Sequence, residues 1–187
     1  SNLPAVSRSF AWDSVPYGSS PGGLWRIISE DDPTVVDQST VLFALRNGGG
    51  LAYFVNDGSM VDDVYCSAVG NDSNGGVFPS APKATLQSLI DNRDLEPGDI
   101  VYIDTGTYLL TAPVLIGDLD AGQSTNRVVF QGSTNVAAGG TVFNRQTTSG
   151  NAFHLQRTAG IELRDLYIIN AGQGVYNDEA GDCFFVN

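Results

Sequence analysis

Apolar positions in the middle of the chain predict one short helix followed by a strand. Leu86, Leu89 and Ile90 recur at i, i+3 and i+4, the spacing of a single apolar stripe on a helix. Thr85 is placed to cap that helix, and a Glu-Pro-Gly run at residues 96–98 follows its end. We therefore expect a helix over residues 85–93, with its apolar stripe buried on a strand over residues 100–103.

Short apolar runs separated by Gly, Asn, Asp, Ser and Thr continue towards the C-terminal part of the sequence. They occupy residues 114–116, 128–130, 142–143, 153–155, 161–163, 166–169 and 175–176. This repetition predicts a stack of coils, because a short strand buries its apolar face only against the coils beside it. We expect about three to four coils, the first of them covered by the helix.

The first part of the sequence has a different pattern, which predicts antiparallel strands. The strand candidates are residues 10–12, 24–29, 41–45 and 51–55. The segment RNGGG at residues 46–50 is a strong hairpin signal because Asn and Gly accept positive φ, so we expect the last two candidates to pair. The predicted division is an antiparallel β part over residues 1–60 and the helix with its coils over residues 61–187.

Four segments carry a resemblance to a known family. They are GNDSNGG (70–76), PKATLQSLID (82–91), EPGDIVYIDTGTY (96–108) and IELRDLYIINAGQGVY (161–176). They resemble the start of a pectate-lyase-like right-handed parallel β-helix, and they are most similar to the segment that opens the β-helix of very large exported bacterial surface proteins. The resemblance implies an all-β fold with a helix-capped right-handed parallel β-helix, and a secreted or cell-surface location. It implies less about function, because this scaffold hosts several chemistries.

The charge balance narrows the range of partners. The net charge is −12, with 9 Lys plus Arg against 21 Asp plus Glu. An acidic surface repels phosphate backbones, which argues against nucleic acid as a partner. It also repels anionic polysaccharides unless a cation intervenes, so the acidity indicates Ca²⁺ as a cofactor, a saline habitat or simple solubility. No apolar run reaches the ~18 residues of a membrane span, and both ends of the sequence are typical of a piece of a longer protein.

Two cysteines, Cys66 and Cys183, lie far apart and outside any metal-binding spacing. A disulfide between them is compatible with export. However, Cys66 precedes the first coil and Cys183 follows the last readable one. A growing stack separates its ends, which favours two free thiols.

The residues that a polysaccharide lyase requires are sparse. Such an enzyme needs a Lys or Arg base and a cation or basic group for the uronate carboxyl. The one lysine, Lys83, is predicted to be exposed at the start of the helix. Arg164 is expected to pair with Asp165 at a turn. A glycosidase needs two carboxylates facing one cleft, and the candidates do not recur at a regular interval; they are Asp104, Asp118, Asp120, Glu162 and Asp165. His154 is expected to point outward between Phe153 and Leu155. We therefore assign no catalytic residue.

Two acidic turns are candidates for Ca²⁺. Asp72 lies in the oxygen-rich loop at residues 70–74, and Asp118 and Asp120 share a second turn. The alternative for Asp72 is a turn in which its side chain bonds nearby backbone groups.

Two functions remain open. The first is a non-catalytic module of an exported cell-surface or extracellular structural protein, acting through adhesion, carbohydrate contact or self-assembly. Its partners would be other copies of itself, further domains of a longer chain, or a polysaccharide. The alternative is the N-terminal fragment of a β-helical polysaccharide lyase or glycoside hydrolase. The missing base and the missing carboxylate series favour the first.

Overall fold

The computed structural model describes residues 18–29, 31–41, 43–47 and 49–187. The chain divides into two compact units, Ser1–Gly49 and Gly50–Asn187. Within the described part of the first unit, the strands are β1 (Gly18–Gly23), β2 (Arg26–Ile28), β3 (Val36–Gln38) and β4 (Phe43–Asn47). The second unit contains one α-helix, α1 (Leu86–Asn92), one 3₁₀-helix (Val136–Ala138), and nine strands: β5 (Ala52–Val55), β6 (Ile100–Ile103), β7 (Gly106–Leu109), β8 (Val114–Ile116), β9 (Val128–Gly132), β10 (Thr141–Gln156), β11 (Ile161–Arg164), β12 (Leu166–Asp178) and β13 (Phe184–Val186).

The first unit is antiparallel, as its pattern predicts. Strand β1 pairs with β4, and β2 pairs with β3. The β2–β3 connection is closed by Asp32, whose carboxylate accepts hydrogen bonds from the backbone N–H and the hydroxyl of Thr34. These two bonds lower the pKa of Asp32. The predicted strand at residues 10–12 lies outside the described residues.

The predicted hairpin across residues 46–50 is wrong. Strand β4 pairs antiparallel with β1, whereas β5 pairs parallel with β6, with Ala52 beside Ile100 and Val55 beside Ile103. Residues 51–55 therefore belong to the second unit and not to the antiparallel part. A turn signal is local, but the partner that satisfies β5 lies further along the chain and buries Tyr53 and Val55.

Parallel sheets build the second unit. One sheet has the order β13-β11-β9-β6-β5. In the other, β10 lies between β7 and β12, and β8 pairs with the second half of β10. The chain therefore returns repeatedly to the same two sheets and adds each new strand parallel to the previous one.

The core consists of apolar columns that run across the paired strands. One column contains Tyr53, Val101, Phe130 and Leu163, which are in register on adjacent strands and are buried. Tyr108, Phe143 and Phe153 form a second group with ring centroids 5.3 and 5.0 Å apart. Burying such rings and branched side chains contributes about 1.5–3 kcal/mol each, so these columns dominate the stability of the unit.

Helix α1 begins and ends as predicted. Thr85 is its N-cap and accepts a hydrogen bond from the N–H of Ser88, and Arg93 is its C-cap. Leu86, Leu89 and Ile90 are buried, as the apolar stripe predicts. The expected support was the strand over residues 100–103; the strand that the helix contacts most is β8, where the Gln87 side chain bonds Leu115.

Both cysteine thiols are free and partly buried, and burial raises the pKa of each. Among the described residues, no helix is long and apolar enough to cross a membrane.

Candidate functional site

Asp104, one of the carboxylates considered for a glycosidase, accepts hydrogen bonds from the loop that precedes helix α1. It follows strand β6 and is completely buried. Its carboxylate accepts hydrogen bonds from four backbone N–H groups: those of Val64 at 2.6 Å, Tyr65 at 2.8 Å, Cys66 at 2.6 Å and Thr105 at 2.8 Å. With all of these donors in place, the carboxylate anchors the loop before helix α1 to the end of a core strand.

Asp72, predicted as a Ca²⁺ ligand, fixes the segment that leads into helix α1. Its carboxylate accepts from the N–H groups of Ala84 and Thr85 and from the Thr85 hydroxyl, at 2.9–3.0 Å. Its backbone carbonyl accepts from Nζ of Lys83 at 2.6 Å. These bonds reach residues 12 and 13 positions further along the chain, so they are not the local turn of the alternative; that turn is made by Asn71, whose Oδ1 accepts from the N–H of Ser73 at 2.9 Å. The role of Asp72 as a Ca²⁺ ligand stays a prediction.

Lys83 is buried, which corrects the expectation of an exposed first-turn residue. Only 5% of it is accessible, and it precedes the helix instead of lying in it. The backbone of Lys83 bonds on both sides to strand β5, donating to Phe54 and accepting from Asn56. The chain at residue 83 therefore runs along the open edge of β5, and the side chain lies beneath the covering loop.

The second Ca²⁺ candidate lies in an acidic depression. Asp118 and Asp120 line a depression of about 380 Å³ together with Asp91 and Asp94, whereas Asp72 is not part of it. Asp120 is buried and accepts from the N–H of Leu95 at 3.4 Å, and burial raises its pKa to about 6. Among the described residues no three His, Cys, Asp or Glu side chains are grouped to hold a metal. Ca²⁺ binding by Asp118 and Asp120 stays a prediction.

The remaining titratable candidates are paired within the sheets. Arg164 bonds Glu162 on its own strand at 2.6 Å, and not Asp165 as the sequence suggested, because side chains two residues apart share one face of a strand. Asp165 instead accepts from Nε2 of Gln131 at 2.8 Å. Asp104, Glu162 and Asp165 are each bonded to a different neighbour: backbone N–H groups, Arg164 and Gln131, respectively.

The outer face of β10 and β12 combines an exposed ring with polar groups. His154 lies between two buried residues and is partly exposed, as alternation predicts. Its ring centroid is 5.0 Å from that of Tyr176 on the neighbouring strand. Nε2 of His154 and Nε2 of Gln156 each lie 3.4 Å from the same carboxylate oxygen of Asp178.

Sequence reasoning missed the polar side chains that complete the first strands. The Gln87 amide oxygen accepts from the N–H of Leu115 at 2.7 Å, so a side chain on the helix occupies the position that a neighbouring strand would have beside β8. Asp57 does the same for β7 by accepting from the N–H of Thr107 at 3.3 Å. No spacing signals this role of Gln87, which lies one position after Leu86 and outside the apolar stripe of the helix.

No protein family, curated protein or solved structure matches this chain significantly.

Proposed function

We propose that the chain is a non-catalytic module of an exported cell-surface or extracellular structural protein, with the second unit folded as the first coils of a right-handed parallel β-helix. Parallel strands that recur in the same order support the β-helix, and parallel connections are right-handed in about 98% of cases. The sequence resemblance supports the handedness and the exported location. The side chains that close the open edges of β7 and β8 support a capped first coil.

The non-catalytic assignment rests on one observation: the candidate acid and base side chains, Asp104 and Lys83, are already hydrogen-bonded to backbone groups of the protein. The Asp104 carboxylate has four N–H donors, and the ammonium group of Lys83 is buried on a carbonyl. Neither group is placed to exchange a proton with a bound sugar, because a general base needs a free lone pair within reach of its substrate.

The test is incubation with polygalacturonate, alginate and chondroitin, with Ca²⁺ and with a chelator. We expect no unsaturated uronate absorbance and no new reducing ends. Product formation that survives purification to homogeneity would refute the proposal and favour the lyase or hydrolase alternative. A Ca²⁺ titration by calorimetry on the wild type and on Asp118→Asn tests the proposed cation in the same samples.

The partners that we propose are other copies of this chain or further domains of a longer one, placed on the last coil. Phe185 is in register with buried Leu163 but is 56% exposed, so the apolar column continues to the surface. Around it lies an apolar depression of about 220 Å³, lined by Leu163, Leu166, Ile168, Val175, Phe185, Val186 and Asn187. β12 and β13 are edge strands there, and exposed edges beside apolar surface promote strand addition.

Sedimentation tests this surface. We expect self-association that persists at high salt, since apolar burial drives it, and that is lost in Phe185→Asp but retained in Phe185→Leu. A compact monomer at every concentration would exclude other copies as partners.

A further inference from the structure

A second surface of the second unit has the composition of a ligand site. Tyr176 projects from strand β12 with 42% of its surface accessible, although it lies beside another ring, that of His154. The Asp178 carboxylate and the Gln156 amide stand at the end of the same face. An accessible ring next to fixed hydrogen-bonding groups provides both a stacking surface and directional contacts.

A polar groove continues from Tyr176 along the turn regions of β10 and β12. Its volume is about 460 Å³, within the range of about 300–1,000 Å³ typical of small-molecule sites. Besides Tyr176 it is lined by Thr148, Ser149, Gly150, Asn151, Gly172 and Gln173. A Cβ atom added at Gly172 would lie 2.4 Å from the carbonyl oxygen of Thr148, so glycine is required where the two strands approach. The groove therefore offers hydroxyl, amide and backbone groups around one aromatic ring.

The charges on this face select against an anionic ligand. The cation at the groove is Arg145, whose guanidinium lies beside Gly150. Its Nε donates to the carbonyl of Asn151 at 2.9 Å, and its Nη1 lies 3.3 Å from the carbonyls of Leu110 and Thr111. Nε and Nη1 of Arg145 are therefore bonded to backbone carbonyls of the protein itself. The Asp178 carboxylate and the net charge of −12 repel ligands that carry carboxylates or phosphates.

We propose that Tyr176 and this groove bind a neutral oligosaccharide. One pyranose ring stacks its C–H face on Tyr176, and hydroxyl groups of the next residue bond the side chains of Asn151 and Gln173. Asp178 accepts from a hydroxyl group of the stacked sugar. The inference rests on the proposed non-catalytic role and specifies its ligand: the module holds a neutral glycan without cleaving it.

The experiment is calorimetric titration of the full chain with neutral hexasaccharides of glucose, xylose and mannose, with hexagalacturonate as the anionic comparison. We expect saturable binding of at least one neutral hexasaccharide and none of hexagalacturonate. Tyr176→Ala should weaken binding about tenfold or more, and Tyr176→Phe should retain it. The matched control is Tyr167→Ala, which removes a ring of similar exposure (37%) from the first half of the same strand and should leave the affinity unchanged. If Tyr176→Ala fails to fold, the exposed groove residue Gln173 replaces it, and Gln173→Ala should lower the affinity several-fold at an unchanged melting temperature.

Three outcomes would overturn the site. Either no neutral hexasaccharide binds, or binding is unaffected in Tyr176→Ala and Gln173→Ala, or hexagalacturonate, measured with a chelator present, binds more tightly than every neutral hexasaccharide. Chromatography of the recovered sugar separates this failure from that of the proposed function. Intact sugar recovered from a titration that shows saturable binding supports both proposals. Cleaved sugar refutes the non-catalytic role but leaves the binding site standing.

Discussion

Replacing Asp104 tests how strongly a single buried carboxylate holds the loop before helix α1. Four backbone N–H groups point at its two oxygens, two at each. Hydrogen bonds to charged acceptors contribute about 1.5–3 kcal/mol each, but they are not additive, and removing one partner of a buried network costs about 3–5 kcal/mol. We therefore expect Asp104→Ala to lower the free energy of unfolding by about 3–5 kcal/mol.

The isosteric variant makes the test sharper. An Asn side chain keeps one acceptor oxygen for two of the donors, but its NH₂ group then faces the other two N–H groups in either orientation. Asp104→Asn should therefore be nearly as destabilising as Asp104→Ala, within about 1 kcal/mol, although it preserves volume. The matched control is Asp118→Asn, which changes the same atoms at an exposed position and should alter stability by less than about 0.5 kcal/mol.

The assay is urea unfolding followed by far-ultraviolet circular dichroism, combined with limited chymotrypsin digestion. Released N–H groups should free the loop, so both Asp104 variants should be cut at Tyr65 faster than the wild type. An Asp104→Asn variant as stable as the wild type would refute the reasoning, since it would mean that the four donors do not require a charged acceptor.

Three further predictions follow from the helix and the acidic depression. Leu89→Asp should destabilise by several kcal/mol, because it buries an unpaired charge, whereas Ser88→Asp should not; an unchanged melting temperature for Leu89→Asp would contradict the burial. Gln87→Ala should cost about 1–3 kcal/mol by leaving the N–H of Leu115 without its acceptor, and Gln87→Glu should recover part of that loss in urea titrations. The raised pKa of Asp120 means that the native protein holds this proton more tightly than the unfolded chain, so stability falls as pH rises from 3.8 to about 6. Asp120→Asn should remove that fall, so at pH 7 its free energy of unfolding should exceed that of the wild type by about 1–2 kcal/mol after allowance for solvent screening. Equal profiles of unfolding free energy against pH for the two proteins would contradict this prediction.

The sequence predicted the elements that local patterns control. The helix stripe of Leu86, Leu89 and Ile90 depends on spacings within a few residues, and the structure confirms it. The later apolar runs all lie in strands, but runs 142–143 and 153–155 belong to one long strand, β10, and runs 166–169 and 175–176 to another, β12. Strand β5 was misassigned because the hairpin signal before it is local, while its parallel partner β6 begins almost fifty residues later.

The polar contacts were harder to predict for the same reason. Asp104, Asp57 and Gln87 all bond backbone groups that lie far away along the chain, and no spacing rule reports such partners. Nor could a search for carboxylates at a fixed interval succeed, because the register-matched residues 101, 130, 163 and 185 are not equally spaced.

The side chains of Gln87 and Asp57, which stand where neighbouring strands would otherwise lie, have a consequence for how such a protein changes length. By bonding Thr107 in β7 and Leu115 in β8, they form a starting edge against which the later parallel strands are added, and this starting edge does not depend on how many strands follow. Duplicating or deleting a complete circuit of the chain downstream would leave the starting edge intact. A single-residue insertion inside strand β8, in contrast, would turn the buried side chains of Val114 and Ile116 to the opposite face. Variation in length is therefore expected in whole circuits, and variation at the starting edge is expected to be rare.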